Sequence, residues 1–367
     1  MTFYQDVLKN EEKAIFALRS LYENYGYSQY KMSKFEEYDL YVKNKDFLIS
    51  DSVITFTDRN GKLMALKPDV TLSILKNGKD QKGTVQKVYY NENVYRVSGE
   101  GFKEIMQVGL ECIGDIDSYC LYETLALAAK SLETISDSYV LDISHLGVIS
   151  SVFDAISLDE SYRADALRCI GEKNVHELCA ICKNAGIDED NSAILKSLVT
   201  LYGTPCEVLP KLKELLKGAD TSALCEFSDI LESFKDDKIY SKLRVDFSVV
   251  HDIRYYNGIV FKGFIEGIPS GVLSGGQYDS LLSKMGRKSG AIGFAVYLDL
   301  LERMNESGKK YDVDTLLLYE SGADIKLLSE TIATLSKNGS VMAQKDIPEK
   351  LKFKEIKKLT ESGVIDV

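Results

Sequence analysis

The chain has 367 residues, with 56 acidic against 45 basic side chains; that is more than one ordinary core holds, and it gives two domains with room for an inserted third. The net charge of −11 repels polyanions and gives no general support for binding DNA or RNA, so any nucleic-acid contact has to be local. The seven cysteines, an odd set scattered from Cys112 to Cys225, fit reduced thiols, and with no signal-like N-terminus or long apolar run the expectation is a soluble cytoplasmic protein.

In chain order, residues 3–25 repeat Phe3, Val7, Ala14, Ile15, Leu18 and Leu21 at helical spacing and predict an amphipathic helix. Segments 54–57, 63–66, 87–95 and 105–113 are β-branched or aromatic and separated by turn signals, which predicts strands in hairpins. Asp117 is positioned to cap a helix reaching about Leu132, and residues 140–143 resume a strand. From 150 to 237 the pattern becomes short helices, read as a helical insertion with loops at 186–191 and 203–205. Strands return over 243–264, followed by a glycine-rich turn at Gly275–Gly276 and a helix near 296–304. Beyond a polar linker at 305–310, a small α/β domain alternates strand, helix over 324–337, strand and a second, Lys-rich helix.

Two motifs invite a chemical reading. HELCAICKNAG carries the only CxxC pair, Cys179 and Cys182, with His176 upstream; helical periodicity and the lack of a second pair favour packing over metal or redox chemistry. In VHDIRYYNGIVFK (250–262), Tyr255 and Tyr256 precede an Asn257–Gly258 turn and a β-rich run, which reads as a hairpin carrying two phenols. Such a pair serves ordinary packing as well as it serves a site.

Three separated segments, LMALKPDVT at 63–71, KVYYNENVYRVSGEGFKEIMQVGLECIG at 87–114 and the DIRYYNG, SGGQYDSL, AIGFAVYLDLL series at 252–301, coincide in order with one family. Together they resemble the class II histidyl-tRNA synthetase core over about residues 1–305, and within that family the paralogues that act as regulatory subunits of ATP phosphoribosyltransferase. The resemblance implies an α+β fold with a class II antiparallel sheet flanked by helices. It implies a core over 1–308 containing a helical insertion over 150–238, and a small C-terminal α/β domain over 309–367.

Carried over by motif, the resemblance puts Asp69 and Thr71 at the ammonium of bound histidine. Gln107 and Glu111, on one face of a strand, fall where the family contacts histidine, and Tyr255, Tyr256, Ser274 and Tyr278 surround the imidazole. Arg96, the motif 2 arginine, completes the set. Each has a plainer reading: Asp69 as a helix cap after Pro68, Gln107 and Glu111 as an exposed strand face, and Gly275–Gly276 as any turn, with no GKS or GKT to make a phosphate loop.

The departures from the family carry as much weight. The acidic residue expected after Arg96 is Ser98, the motif 3 arginine aligns with Leu300, and the further catalytic arginine aligns with His251. Replacing two guanidinium groups by leucine and histidine removes the cations that adenylate formation needs. The resemblance, taken with these departures, implies a noncatalytic regulatory subunit with no cofactor, no metal, no membrane association and no tRNA substrate. Its expected partner is a short-form ATP phosphoribosyltransferase catalytic subunit, its effector histidine, and its assembly a dimer within a hetero-octamer. The basic cluster Lys350, Lys352, Lys354, Lys357 and Lys358 reads as a solvated helix face. The alternatives are a diverged adenylate-forming or aminoacyl-transfer enzyme using Arg96 and His251, and a scaffold that binds no ligand.

Overall fold

The structure, a computed structural model, describes residues 8–44, 53–78, 83–99, 101–217, 220–250, 256–301, 311–360 and 363–367. The chain divides into two compact units, Met1–Met304 and Asn305–Val367.

The first unit opens with α1 (Asn10–Asn24), which starts where Lys9 N–H donates to Glu12 Oε2 at 2.9 Å; it begins later than the spacing predicts, and Phe3 and Val7 lie outside the described residues. Next come β1 (Ser28–Gln29), β2 (Phe35–Glu37), α2 (Tyr38–Lys43), β3 (Thr55–Thr57), β4 (Leu63–Leu66) and α3 (Thr71–Asn77). A long hairpin, β5 (Val85–Ser98) and β6 (Gly101–Gly114), leads to the central helix α4 (Ser118–Ile135). Asp117 caps α4 by accepting Cys120 N–H at 2.9 Å, as its position predicts. After β7 (Tyr139–His145) the chain runs through α5 (Leu146–Ala155), α6 (Glu160–Gly171), α7 (Val175–Asn184), α8 (Glu189–Thr200), β8 (Tyr202–Gly203), α9 (Pro205–Leu215) and α10 (Ser222–Glu232). It returns by β9 (Leu243–Asp246), β10 (Ile259–Ile265), β11 (Leu273–Gln277), α11 (Asp279–Lys284) and β12 (Gly290–Tyr297).

Among the described residues these strands make a nine-stranded sheet in the order β1-β5-β6-β12-β11-β10-β7-β9-β8. It is mostly antiparallel, with parallel pairs at β1·β5 and β7·β9. A separate small sheet has the order β2-β4-β3. Alternation along each strand sends Leu110, Cys112, Phe294 and Phe261 to one face, where α4, α1 and the insertion helices form one continuous core. The other face receives Val88, Tyr90, Ile105 and Ala291 and is covered by α3 and α11 through Leu72, Leu75, Leu281 and Leu282. Cys182, on α7, belongs to the core, so the CxxC segment packs as a helix face.

Several local expectations fail for one reason, that pairing on both sides overrides local pattern. Gly275 and Gly276 lie inside β11, not in a turn. A Cβ on Gly276 would meet the Ile259 carbonyl oxygen at 2.7 Å, so glycine there permits close strand approach. Val296 and Tyr297 end β12, held by β11 and β6, and only a single 3-10 turn comes after it at 298–301; 302–310 lie outside the described residues. Asn257–Gly258 is a bend whose Asn257 N–H reaches Gln277 O at 3.0 Å, so this segment extends the pairing with β11 instead of folding back on itself.

The second unit contains β13 (Val313–Leu318), α12 (Ile325–Leu335), β14 (Val341–Gln344), β15 (Phe353–Thr360) and β16 (Gly363–Asp366), ordered β14-β13-β15-β16. The Lys-rich segment is therefore a strand. Phe353, Ile356 and Leu359 have helical spacing, but β15 is paired parallel to β13 and antiparallel to β16, so Lys357 and Lys358 are strand residues with carboxylate partners at Asp366 and Glu320.

Leu132 of α4 is fully buried and sits over Gly263 of β10, where a Cβ would meet its Cδ1 at 2.6 Å. Leu132→Ala is expected to destabilise the chain by about 2–5 kcal/mol, read as a lower denaturant midpoint at unchanged slope.

Candidate functional site

A cavity of about 430 Å³ opens on the face of the large sheet covered by α3 and α11. Strand register explains why it is there. Tyr90, Gly109, Ala295, Ser274 and Lys262 lie opposite one another across five strands, and Glu111, Gly293 and Gly276 form the next row. Partners in an antiparallel ladder share a face, so the first row puts small residues between larger ones and the second sets two glycines beside Glu111. The small residues are the floor. A Cβ on Gly293 would collide with the Glu111 carboxylate, and one on Gly109 with the Tyr90 phenol.

Glu111 is buried in the wall of this cavity. Thr71 Oγ1 donates to its Oε1 at 2.7 Å, and the Tyr278 hydroxyl donates to Oε2. A carboxylate has about four acceptor sites, so two donors leave capacity for N–H groups of a ligand. Burial pushes the Glu111 carboxyl up to about 8, with the Asp69 charge adding to the shift and the Tyr278 and Thr71 hydrogen bonds opposing it.

Asp69 combines two expectations. Its Oδ1 accepts Leu72 N–H at 2.9 Å at the start of α3, so it caps the helix, and it lines the cavity as well. Burial raises its carboxyl above the ordinary value, while the Leu72 and Thr71 amides and the Arg96 and Lys67 charges act in the opposite sense. The short helix thus delivers Asp69 and Thr71 together.

Of the residues singled out from the sequence, Asp69, Thr71, Arg96, Gln107, Glu111, Tyr256, Ser274 and Tyr278 all line this one cavity. Tyr255 and His251 lie outside the described residues. Gln107 and Glu111, both buried, are not an exposed strand face. Sequence reasoning missed Tyr90, Lys262, Ser270 and Tyr297, which also line it. Tyr90 was recoverable in principle: a turn between Ser98 and Gly101 sets it opposite Gly109. Lys262 shares a pleat face with Val260 and Phe264, and burial depresses its ammonium below the usual lysine range. Two carboxylates and two cations around phenols and hydroxyls suit a small zwitterion with a polar ring. Among the described residues no group of three His, Cys, Asp or Glu side chains is arranged to hold a metal ion, and no helix is long and apolar enough to cross a membrane.

The sequence model of the histidyl-tRNA synthetase family matches residues 4–301. An ATP phosphoribosyltransferase regulatory subunit from Oceanobacillus iheyensis is 26% identical over 82% of this chain and 75% of its own. A histidine–tRNA ligase from Methanococcus vannielii is 30% identical over 86% of this chain and 77% of its own. Among solved structures, a chain of an ATP phosphoribosyl transferase complex from Thermotoga maritima superposes with a TM-score of 0.63 at 20% identity, covering 80% of this chain and 98% of that one.

The folded chain keeps a proton on Glu111 that an unfolded chain gives up near pH 4.5, so this group makes stability fall as pH rises from about 4.5 to about 8 and adds no slope above. Asp142, pushed up to about 7 by burial and by Asp246, adds a slope of the same sign. Glu111→Gln is expected to flatten the decline between about pH 5 and 8 while the Asp142 part remains, read by thermal unfolding of both chains across that range.

Proposed function

The chain belongs to the histidyl-tRNA synthetase family, and on that premise we propose that it is a noncatalytic regulatory subunit of ATP phosphoribosyltransferase that activates a short catalytic partner and binds histidine as the feedback signal. The observation that carries this reading is a contrast within one fold. The amino-acid pocket is furnished, with Asp69 and Thr71 for an ammonium and Glu111 and Tyr278 for the polar ring. The position that the resemblance gives to the ATP-clamping arginine holds Leu300, an uncharged side chain packed against the core.

Adenylate formation gathers negative charge on the phosphates as the carboxylate attacks, and it needs fixed cations at that place. Arg96 supplies one. Leu300 supplies none, and Ser98 is uncharged where the family has an acidic residue. Histidine bound without ATP activation is a signal, not a substrate. To regulate, it must bind two states of a complex with unequal affinity, and a coupling of about 1–3 kcal/mol makes a useful switch.

The names of relatives support the coarse reading, since the Oceanobacillus iheyensis protein is called a regulatory subunit of the transferase. Dimerisation of the core, assembly with the catalytic subunit as a hetero-octamer and a cytoplasmic location are part of the same proposal. The retained Arg96 and the identity to the Methanococcus vannielii ligase favour a second reading, a diverged adenylate-forming enzyme. Histidine-dependent exchange of pyrophosphate into ATP would select it.

The test of the first reading is phosphoribosyl-ATP formation by a short-form catalytic subunit from the same source, with and without this chain, across a histidine titration. We expect activation that histidine reverses. Asp69→Ala and Glu111→Ala are each expected to shift the inhibitory histidine concentration upward by about tenfold or more with assembly intact, the loss anticipated for a charge-assisted contact. Inhibition as strong as the parent's in both variants would exclude this pocket as the sensor.

A further inference from the structure

Lys67 is fully buried, and among the described residues the buried set contains no other lysine or arginine. Its Nζ lies 2.9 Å from Glu92 Oε2 on β5. Glu92 stands opposite Gln107 in the β5–β6 ladder, so it rises from the same sheet face as the cavity wall. The main chain of Lys67 is held as well: its N–H donates to Lys34 O at 3.1 Å and its carbonyl accepts Tyr95 N–H at 2.9 Å. Two residues further on is Asp69, and the link between is Pro68, which fixes its own φ and offers no N–H.

We propose that Lys67 and Glu92 are a positioning pair that aims Asp69 at the ammonium group of the amino-acid ligand, a role that rests on the histidine-pocket reading above. A buried ion pair is weak evidence for stability, because hydrophobic residues of similar volume hold a fold at least as well. What a charged pair supplies is one geometry, since any other leaves an uncompensated charge away from water. Here that geometry ties the β4–α3 connection to the strand that carries Arg96. Without the tie, the connection keeps its main-chain contacts, the burial of Val70 and the cap on Leu72 but loses its charged link to β5, and Asp69 can settle as a helix cap alone. Lys67 also acts on Asp69 through space, since its charge helps keep that buried carboxyl ionised. Its own ammonium is depressed by burial and restored in part by Glu92.

The effect falls on the ammonium and spares the ring and carboxylate of a ligand, which gives a measurement that general damage to the fold does not imitate. The full-length chain is titrated calorimetrically with L-histidine and with its des-amino analogue, imidazole propionate. The parent is expected to prefer histidine. Lys67→Met alone strands Glu92 in a buried site and risks unfolding, so the principal variant is the double change Lys67→Met with Glu92→Gln, which removes both charges; Glu92→Gln alone is the second variant.

The double variant is expected to lose about tenfold in histidine affinity while the analogue changes by less than about twofold, the scale of one misaligned charge-assisted hydrogen bond. Glu92→Gln is expected to lose part of that preference, and Lys67→Arg to keep it. Equal weakening of both ligands, or an undiminished preference for histidine in the double variant, overturns the positioning role. A parent chain that binds neither ligand, or both alike, removes the pocket reading and this role with it, and that result is visible before any variant is made.

Discussion

A carboxylate in the middle of a β-sheet, shielded from water, is a costly thing to build, and Glu111 sets the terms for what surrounds it. Two hydroxyl donors from different elements, Thr71 at the head of α3 and Tyr278 just before α11, converge on its oxygens. The apolar contacts of Leu72, Leu75, Leu281 and Leu282 hold the two helices on that face, with Asp69 capping α3 and Asp279 tying α11 to Ala291 of β12. The glycine opposite, Gly293, leaves the space into which the carboxylate extends. The folded chain holds this group protonated up to about pH 8, and a ligand that brings N–H donors or positive charge into the cavity favours its ionised form.

Much of this was legible in the sequence. Residues 105–113 alternate so that Gln107 and Glu111 share a face, and the Pro68–Asp69 junction marks a helix start. The order of three motifs then assigned them a common pocket, and eight of those residues meet in the structure. What the sequence concealed was long-range pairing. The lysines of β15 have helical spacing and strand surroundings because β13 and β16 lie on either side. Gly275 and Gly276 look like a turn because glycine is common in turns; here the missing Cβ serves the close approach of β10 and β12. Lys262 and Tyr90 were overlooked because their neighbours across the sheet are far away in the chain.

The electrostatic layout separates two tasks that a synthetase joins. Recognition of an amino acid needs acidic and phenolic groups at one end, and those are present in a single cavity. Activation needs a concentration of positive charge where phosphates would lie, and on the proposed reading Leu300 stands there without one. On the proposed reading the second task can lapse without disturbing the first, because Leu300 follows β12 and takes no part in the hydrogen bonds to Glu111, which come from Thr71 and Tyr278.

The stretch from α5 to β9 is inserted between His145 and Ile259, which are paired neighbours in antiparallel strands, and on its way it adds β9 and β8 to the sheet beside β7. Leu146 N–H even donates to Gly258 O at 3.0 Å, so the excursion ends where it began. It is a closed loop in the path of the chain, so helices within it can lengthen or shorten without moving the register of β7 against β10. In packing it is not closed, since Val148, Phe227 and Val245 share one core with α4. Its return limb also brings Tyr256 to the rim of the cavity. A segment that topology treats as an appendage therefore has its hand on the ligand site, and drift in its helices is a route by which a lineage could retune the pocket without altering a single residue of the central sheet.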